Sequence, residues 1–371
     1  MDASLDVRTG QQVYASGDPV DATATITGTG APDSGANLHM EIRAPAGGEE
    51  WINHMPGDHG PFDHPVRAMA VDGAGLKWFA SGEGVVVLDD GGTPLDKADD
   101  VWQSFGYYDG LGGSGVRALA IDGDGLKWVA RSGGVSVLDD GGTPFEKSDD
   151  SWMVFDTGDQ PLMSGVQAMV FEGSHLVWFG TGGGVVVLDH GGTQFEKGDD
   201  LWQSYTPADS GLAGDDYVRS IAIDAMGYKW IGTYDQNQLK GGLNVFDDNG
   251  TPLIKDDGDR WQFFDTVDGL SYRWVHAIAI DGAGLKWVAT QSRLNVFDDK
   301  GDPFDKEDGD VWVIFELADG LPYQAVRNLV IDEAGHKWLT TYTSNYSDPQ
   351  GALAVLDDKG TPLDKGDDDW A

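Results

Sequence analysis

The sequence predicts an all-β fold: a six-bladed β-propeller of four-stranded antiparallel blades, with a small β segment ahead of it. Three observations predict it: a repeat of about fifty residues, the short apolar runs inside each copy, and the phase of the tryptophans. The copies open on Val66, Val116, Val166, Val218, Val275 and Val326, at spacings of 50, 50, 52, 57 and 51 residues. A period of this size marks units that each bury a face only against a neighbour.

Each copy carries four apolar runs. The first reads VRAMAVD in one copy and VRNLVID in the last. The second holds Trp78, Trp128, Trp178, Trp230, Trp287 or Trp338. The third is VVVLDD, VSVLDD, LNVFDD or a close variant, and the fourth holds Trp102, Trp152, Trp202, Trp261, Trp312 or Trp370. Runs this short, β-branched and aromatic, separated by Gly and Asp, are strands. Linkers such as DGAG supply the positive-φ glycines that tight hairpins need. No stretch keeps a helical period. Four strands per period describe a propeller blade.

Of 14 tryptophans, twelve occupy the two repeat positions, and Trp51 falls into the phase of the second. The segment EEWINHM therefore reads as a fourth strand ahead of the first copy. The chain ends one residue after Trp370. The expectation is that the Trp51 strand completes the last blade and removes its free edge, so that the propeller spans 49–371. Residues 1–48 alternate polar and apolar in QQVYASGDPVDATATITG and NLHMEIRAP, about half of an immunoglobulin-like sandwich. They read as a small sheet packed on the propeller, with a degenerate seventh blade as the alternative.

The segment VRSIAIDAMGYKWIGTYDQNQLKGGLNVFD, Val218 to Asp247, and ADGLPYQAVRNLVID from Ala318 resemble the two-component regulator propeller repeat. The resemblance covers 51–370. It implies the propeller fold and a secreted or periplasmic bacterial setting. It implies no single chemistry, because the family includes sensor domains and adhesion modules.

Composition narrows the function. Asp plus Glu number 63 against 24 Lys plus Arg, a formal charge of −39. Such a surface repels nucleic acid and anionic membranes. There is no cysteine, hence no disulfide, thiolate metal site or cysteine nucleophile. No run of 18 apolar residues crosses a membrane, and MDASLDVRTGQQ has no signal-peptide pattern. We expect an extracellular or cell-surface protein without membrane insertion.

Two features on one face of the ring are candidate ligand sites. The second residue of each first strand is Arg67, Arg117, Gln167, Arg219, His276 or Arg327. Innermost strands put these residues at the channel mouth, where four arginines can hold an anion such as a uronate; pairing with acids at blade boundaries is the alternative. Tyr107, Tyr108, Tyr272, Trp274 and Tyr323 lie in variable loops of the same face, where recognition commonly sits. His54, His59 and His64, with Asp58 and Asp63, form a polar loop that can also be read as a metal or lyase site. No GxSxG, HExxH or phosphate loop occurs.

Each copy closes on an acidic hairpin, DDGGTPLDKADDVW in the first. Its acids are Asp89, Asp90, Asp96, Asp99 and Asp100; then Asp139, Asp140, Asp149 and Asp150; then Asp189, Asp199 and Asp200. The later copies carry Asp247, Asp248, Asp256, Asp257 and Asp259; Asp298, Asp299, Asp305, Asp308 and Asp310; and Asp357, Asp358, Asp364, Asp367 and Asp368. Acids facing each other across a hairpin repel. A hard cation resolves that, so these residues are candidate ligands for about one structural Ca2+ per hairpin. The competing reading is a solvated turn with Lys97, Lys147, Lys197, Lys255, Lys306 and Lys365 as counterions.

Together these readings predict a non-catalytic extracellular binding or sensing module, stabilised by calcium and directed at a glycan. Alternatives are a propeller-type lyase acting on uronates, using the arginine ring with a His or Tyr, and a surface or filament subunit that self-assembles through its N-terminal strands.

Overall fold

The computed structural model describes residues 66–371 apart from 94–96, 215, 235–239, 308, 333 and 344–349. Ahead of them it describes the backbone of Val7–Arg8, Ala22–Thr27, Asn37–Arg43 and Glu49–Ile52. The chain is a six-bladed β-propeller of four-stranded antiparallel blades. Blade one is built from Val66–Val71, Lys77–Ser81, Val85–Asp89 and Val101–Phe105, paired in that order, and the other blades repeat the arrangement. No helix among the described residues is long and apolar enough to cross a membrane.

The motif D-x-x-G-x-x-W explains the first hairpin. Asp72 Oδ1 accepts the backbone N–H groups of Ala74 and Leu76, while Oδ2 accepts the Trp78 indole N–H at 2.8 Å. Asp122, Asp224, Asp281 and Asp332 do the same, and Glu172 takes the indole of Trp178. One carboxylate thus closes the turn and satisfies the buried indole, which would otherwise carry a desolvation cost.

The core lies between blades, not within them. Trp78 stacks on Phe105 at 5.7 Å, and Phe105 meets Trp152 of the next blade at 6.1 Å. Glycines in the 4–1 loops lie flat on these outer tryptophans. A Cβ added at Gly110, Gly269 or Gly320 would stand 2.3, 2.6 or 2.5 Å from Cδ1 of Trp152, Trp312 or Trp370.

Blade six has its own fourth strand, begun by Asp369–Trp370, with Leu356 opposite Trp370 and Asp357 opposite Asp369. Ala371 adds two backbone bonds to Val355. Trp370 docks on Phe315 at 6.0 Å, the place its counterparts take in other blades. The Trp51 strand, Glu49–Ile52, pairs instead with Asn37–Arg43 in a three-stranded sheet with Ala22–Thr27. From that sheet, Ala22–Thr27 runs alongside Gly351–Asp357.

Candidate functional site

Arg67, Arg117, Gln167, Arg219, His276 and Arg327 line one cavity of about 670 Å3 on the propeller axis. That volume is in the range of small-ligand sites. The first strands position them by a repeated irregularity. Register shifts between Val66 and Ala68, Val218 and Ser220, Val275 and Ala277, and Val326 and Asn328. Arg67, Arg219, His276 and Arg327 are therefore bulge residues, turned out of the ladder and toward the channel. Below them the walls are apolar, with Ala70, Ile121, Ile223, Ile280 and Ile331.

A second tier, missed in the sequence, breaks the sixfold symmetry. The residue after Ser81, Arg131, Thr181, Thr233, Thr290 or Thr341, at the end of each second strand, is Gly82, Ser132, Gly182, Tyr234, Gln291 or Tyr342. Blades one to three are small there, and blades four to six are large. Arg219 lies over the Tyr234 ring and Arg327 over Tyr342, each at 5.7 Å. Between them, His276 Nε2 is 2.8 Å from Gln291 Oε1, which also accepts the Tyr342 hydroxyl at 2.5 Å. His276 is 5% exposed. Burial first, then the charges of Arg219 and Arg327, hold its pKa well below the usual imidazole value, so the ring is neutral near pH 7. The sequence carries no simple signal for this tier, since Arg67 and Arg117 face Gly82 and Ser132 at the same spacing of fifteen that joins Arg219 to Tyr234 and Arg327 to Tyr342.

Of the predicted aromatics, Trp274 joins this wall, 4.6 Å from Tyr234, with Tyr272 edge-on to it at 5.8 Å. Tyr107 and Tyr108 instead pair with each other, 59% and 98% exposed. Tyr323 donates to Gln350 Oε1. His54, His59, His64, Asp58 and Asp63 lie outside the described residues.

The hairpin acids have divided tasks. The opening acids Asp89, Asp139, Asp189, Asp247, Asp298 and Asp357 accept the backbone N–H two residues on, at 2.9–3.0 Å. In five blades the second acid binds a lysine from the second strand, half-buried in blade one and buried in the others: Asp90 with Lys77, Asp140 with Lys127, Asp248 with Lys229, Asp299 with Lys286, and Asp358 with Lys337. Four of these ammonium groups also lie over the tryptophan of the preceding blade, as Lys127 does over Trp78 at 4.8 Å. Blade three replaces both partners at once, with Val177 and His190, and His190 Nδ1 accepts the turn N–H of Gly192 as the aspartates do. Asp99, Asp149, Asp199, Asp257 and Asp367 accept the hairpin threonine hydroxyl at 2.6–2.9 Å. Asp256 donates its N–H to Asp259, while Asp305 and Asp364 cap local N–H groups. Asp100 and Asp310 stand immediately before their fourth strands, and Asp96 and Asp308 lie outside the described residues.

The hairpin acids are thus engaged largely by protein groups. Among the described residues no three Asp, Glu or His groups converge as a metal site. The hairpin lysines also look away from their own acids. Lys147, Lys197, Lys255, Lys306 and Lys365 reach back to Asp109, Asp159, Asp209, Asp268 and Asp319 in the 4–1 loop of the preceding blade, at 2.7–2.8 Å. Each hairpin is thus a bracket between blades. One set of carboxylates is left over. Asp150, Asp200 and Asp368 have both oxygens buried without a hydrogen-bond partner. Burial, and then Asp199, push Asp200 up to about 6; burial and Asp358 do the same for Asp368.

No protein-family model matches the chain, and no curated protein does. Solved structures do match. The extracellular domain of BT3049 from B. thetaiotaomicron, designated a hybrid two-component system, superposes with a TM-score of 0.56 at 18% identity. The match covers 90% of this chain and 45% of that one. PorZ, a surface component of the type-IX secretion system of Porphyromonas gingivalis, also gives 0.56 at 18%, over 88% of this chain and 46% of its own. A virginiamycin B lyase from Staphylococcus aureus gives 0.55 at 11%, over 90% and 95%. The chain spans under half the length of the first two. At these identities the likeness is one of fold, and the fold is shared by an extracellular domain, a surface component and a lyase.

Proposed function

We propose that this protein is a non-catalytic, extracellular ligand-binding or sensing propeller of the two-component regulator type, and that its channel mouth takes an acidic carbohydrate. The observation that carries this reading is the ring itself: four arginines and a neutral, buried histidine on one cavity of about 670 Å3. Arginine recognises carboxylates, and the flanking Tyr217, Tyr234 and Trp274 offer faces on which sugar rings stack. Extracellular propellers of similar fold in BT3049 and PorZ agree with the setting. A lyase needs a base with a pKa near the working pH, and His276 lies well below it with Nε2 engaged by Gln291.

Calcium enters this reading at one place, the closing carboxylates Asp150, Asp200 and Asp368, whose buried oxygens a hydrated cation would satisfy. Added Ca2+ then raises the unfolding midpoint above pH 6 more than matched NaCl, and Asp200→Asn reduces the gain. An equal response to both salts removes calcium from the account. For the ligand, the test is a glycan array rich in uronate oligosaccharides, read together with absorbance of unsaturated uronate. Binding without a rise in absorbance supports the proposal. A rise in absorbance assigns the protein to the lyases, and absence of any acidic glycan binder rejects the carbohydrate.

A further inference from the structure

The hydrogen bonds around His276 fix what its free nitrogen can do. Gln291 Oε1 already accepts the Tyr342 hydroxyl, so the hydrogen in its 2.8 Å contact with His276 comes from Nε2. In a neutral ring the other nitrogen is then an acceptor. That nitrogen, Nδ1, is buried and has no hydrogen-bond partner among the described residues. Asn328 lines the same cavity and leaves its Nδ2, a donor, buried and equally unmatched. Buried groups in this state are costly and mark a missing partner. Both charges that act on His276, Arg219 and Arg327, also line the cavity, so the unmet acceptor and donor sit in a cationic field.

We infer that the ligand is a hydroxy acid, whose hydroxyl donates to His276 Nδ1 while its carboxylate faces Arg219 and Arg327. A hydroxyl also accepts, which suits Asn328. The inference rests on the anion-binding reading of the channel mouth and makes His276 the residue that tells a hydroxy acid from a plain anion. A site built around an unmet polar group rejects analogues that cannot match it.

The test is calorimetric titration of the full chain with D-glucuronate and with cyclohexanecarboxylate, a ring of similar size and equal charge without hydroxyls. Wild type is expected to bind glucuronate at least about tenfold more tightly. His276→Gln keeps a partner for Gln291 but removes the acceptor at Nδ1, and should bring the two affinities within about threefold. His276→Asn keeps an acceptor near Nδ1 and should preserve the preference, which guards against a result caused by misfolding alone. Equal wild-type binding of the two anions, or a His276→Gln loss common to both, overturns the inference and leaves the anion site standing. Wild-type binding of neither anion overturns both.

Discussion

The acidic hairpins and the channel mouth are both written six times, yet they behave in opposite ways. At the hairpins the residues are nearly identical from blade to blade, and most of their charges are met inside the molecule, the closing Asp150, Asp200 and Asp368 apart. Lysine meets aspartate, aspartate meets threonine, and each bracket holds the blade before it. At the mouth the positions repeat but the residues differ, and His276 Nδ1 and Asn328 Nδ2 are left unmet. Identical contacts repeated around a ring serve a symmetric need, which is closure. Differences at equivalent places break the symmetry, as a ligand without sixfold symmetry requires. Blade three teaches the same lesson from inside the hairpins. Its Val177 and His190 change together, so the buried pair is a unit that can be replaced whole but not halved.

The largest expected effect comes from halving one. Lys229 is buried against Asp248 and Glu172, so Lys229→Ala leaves an unpaired buried carboxylate and should cost about 3–5 kcal/mol in urea unfolding. The double change Lys127→Val with Asp140→His, which copies blade three, should cost less than Lys127→Val alone. If the double change costs as much as the sum of its parts, the unit reading fails. Next is blade docking. Gly269 has φ 126° and its absent Cβ would meet Trp312, so Gly269→Ala should cost about 2 kcal/mol by the same assay.

A smaller effect tests the leftover carboxylates. With folded values raised to about 6, Asp200 and Asp368 bind protons more tightly in the fold than in the unfolded chain. Their contribution is complete below the unfolded value near 4 and is lost as pH rises through about 6. Asp200→Asn with Asp368→Asn should therefore flatten the fall in midpoint between about pH 4 and 6, measured as the difference from wild type. Smallest of all, Arg219→Gln with Arg327→Gln should change stability by no more than about 1 kcal/mol, because the mouth is not part of the inter-blade core.

The fold was legible because a repeat multiplies weak signals. Any one DGAGLKW is a hairpin guess; six in register, with Trp78 to Trp338 in phase, leave little room. At the seam the tryptophan phase at Trp51 and the short tail at Trp370 suggested an open edge, where Asp369 to Ala371 pair with Val355 to Asp357. The arginine ring was legible from position alone. Its companion tier at Tyr234, Gln291 and Tyr342 was not, since what gives those residues meaning is the bulge that turns Arg219, His276 and Arg327 toward them. The partners of the acidic hairpins were not legible for a related reason. The lysine that meets each second aspartate comes from another strand, and the lysine beside it serves the preceding blade.

The claim that the repeat divides stability from recognition can be tested in one measurement: thermal unfolding with and without a saturating uronate oligosaccharide, on wild type, Lys229→Ala and Arg219→Gln/Arg327→Gln. A ligand that binds only the folded state raises the midpoint by linkage. We expect Lys229→Ala to lower the baseline midpoint yet keep the ligand increment, and the arginine double variant to keep the baseline yet lose the increment. If the two variants lose midpoint and increment together, or if wild type shows no increment, hairpin and mouth are not separate in function and the account is wrong.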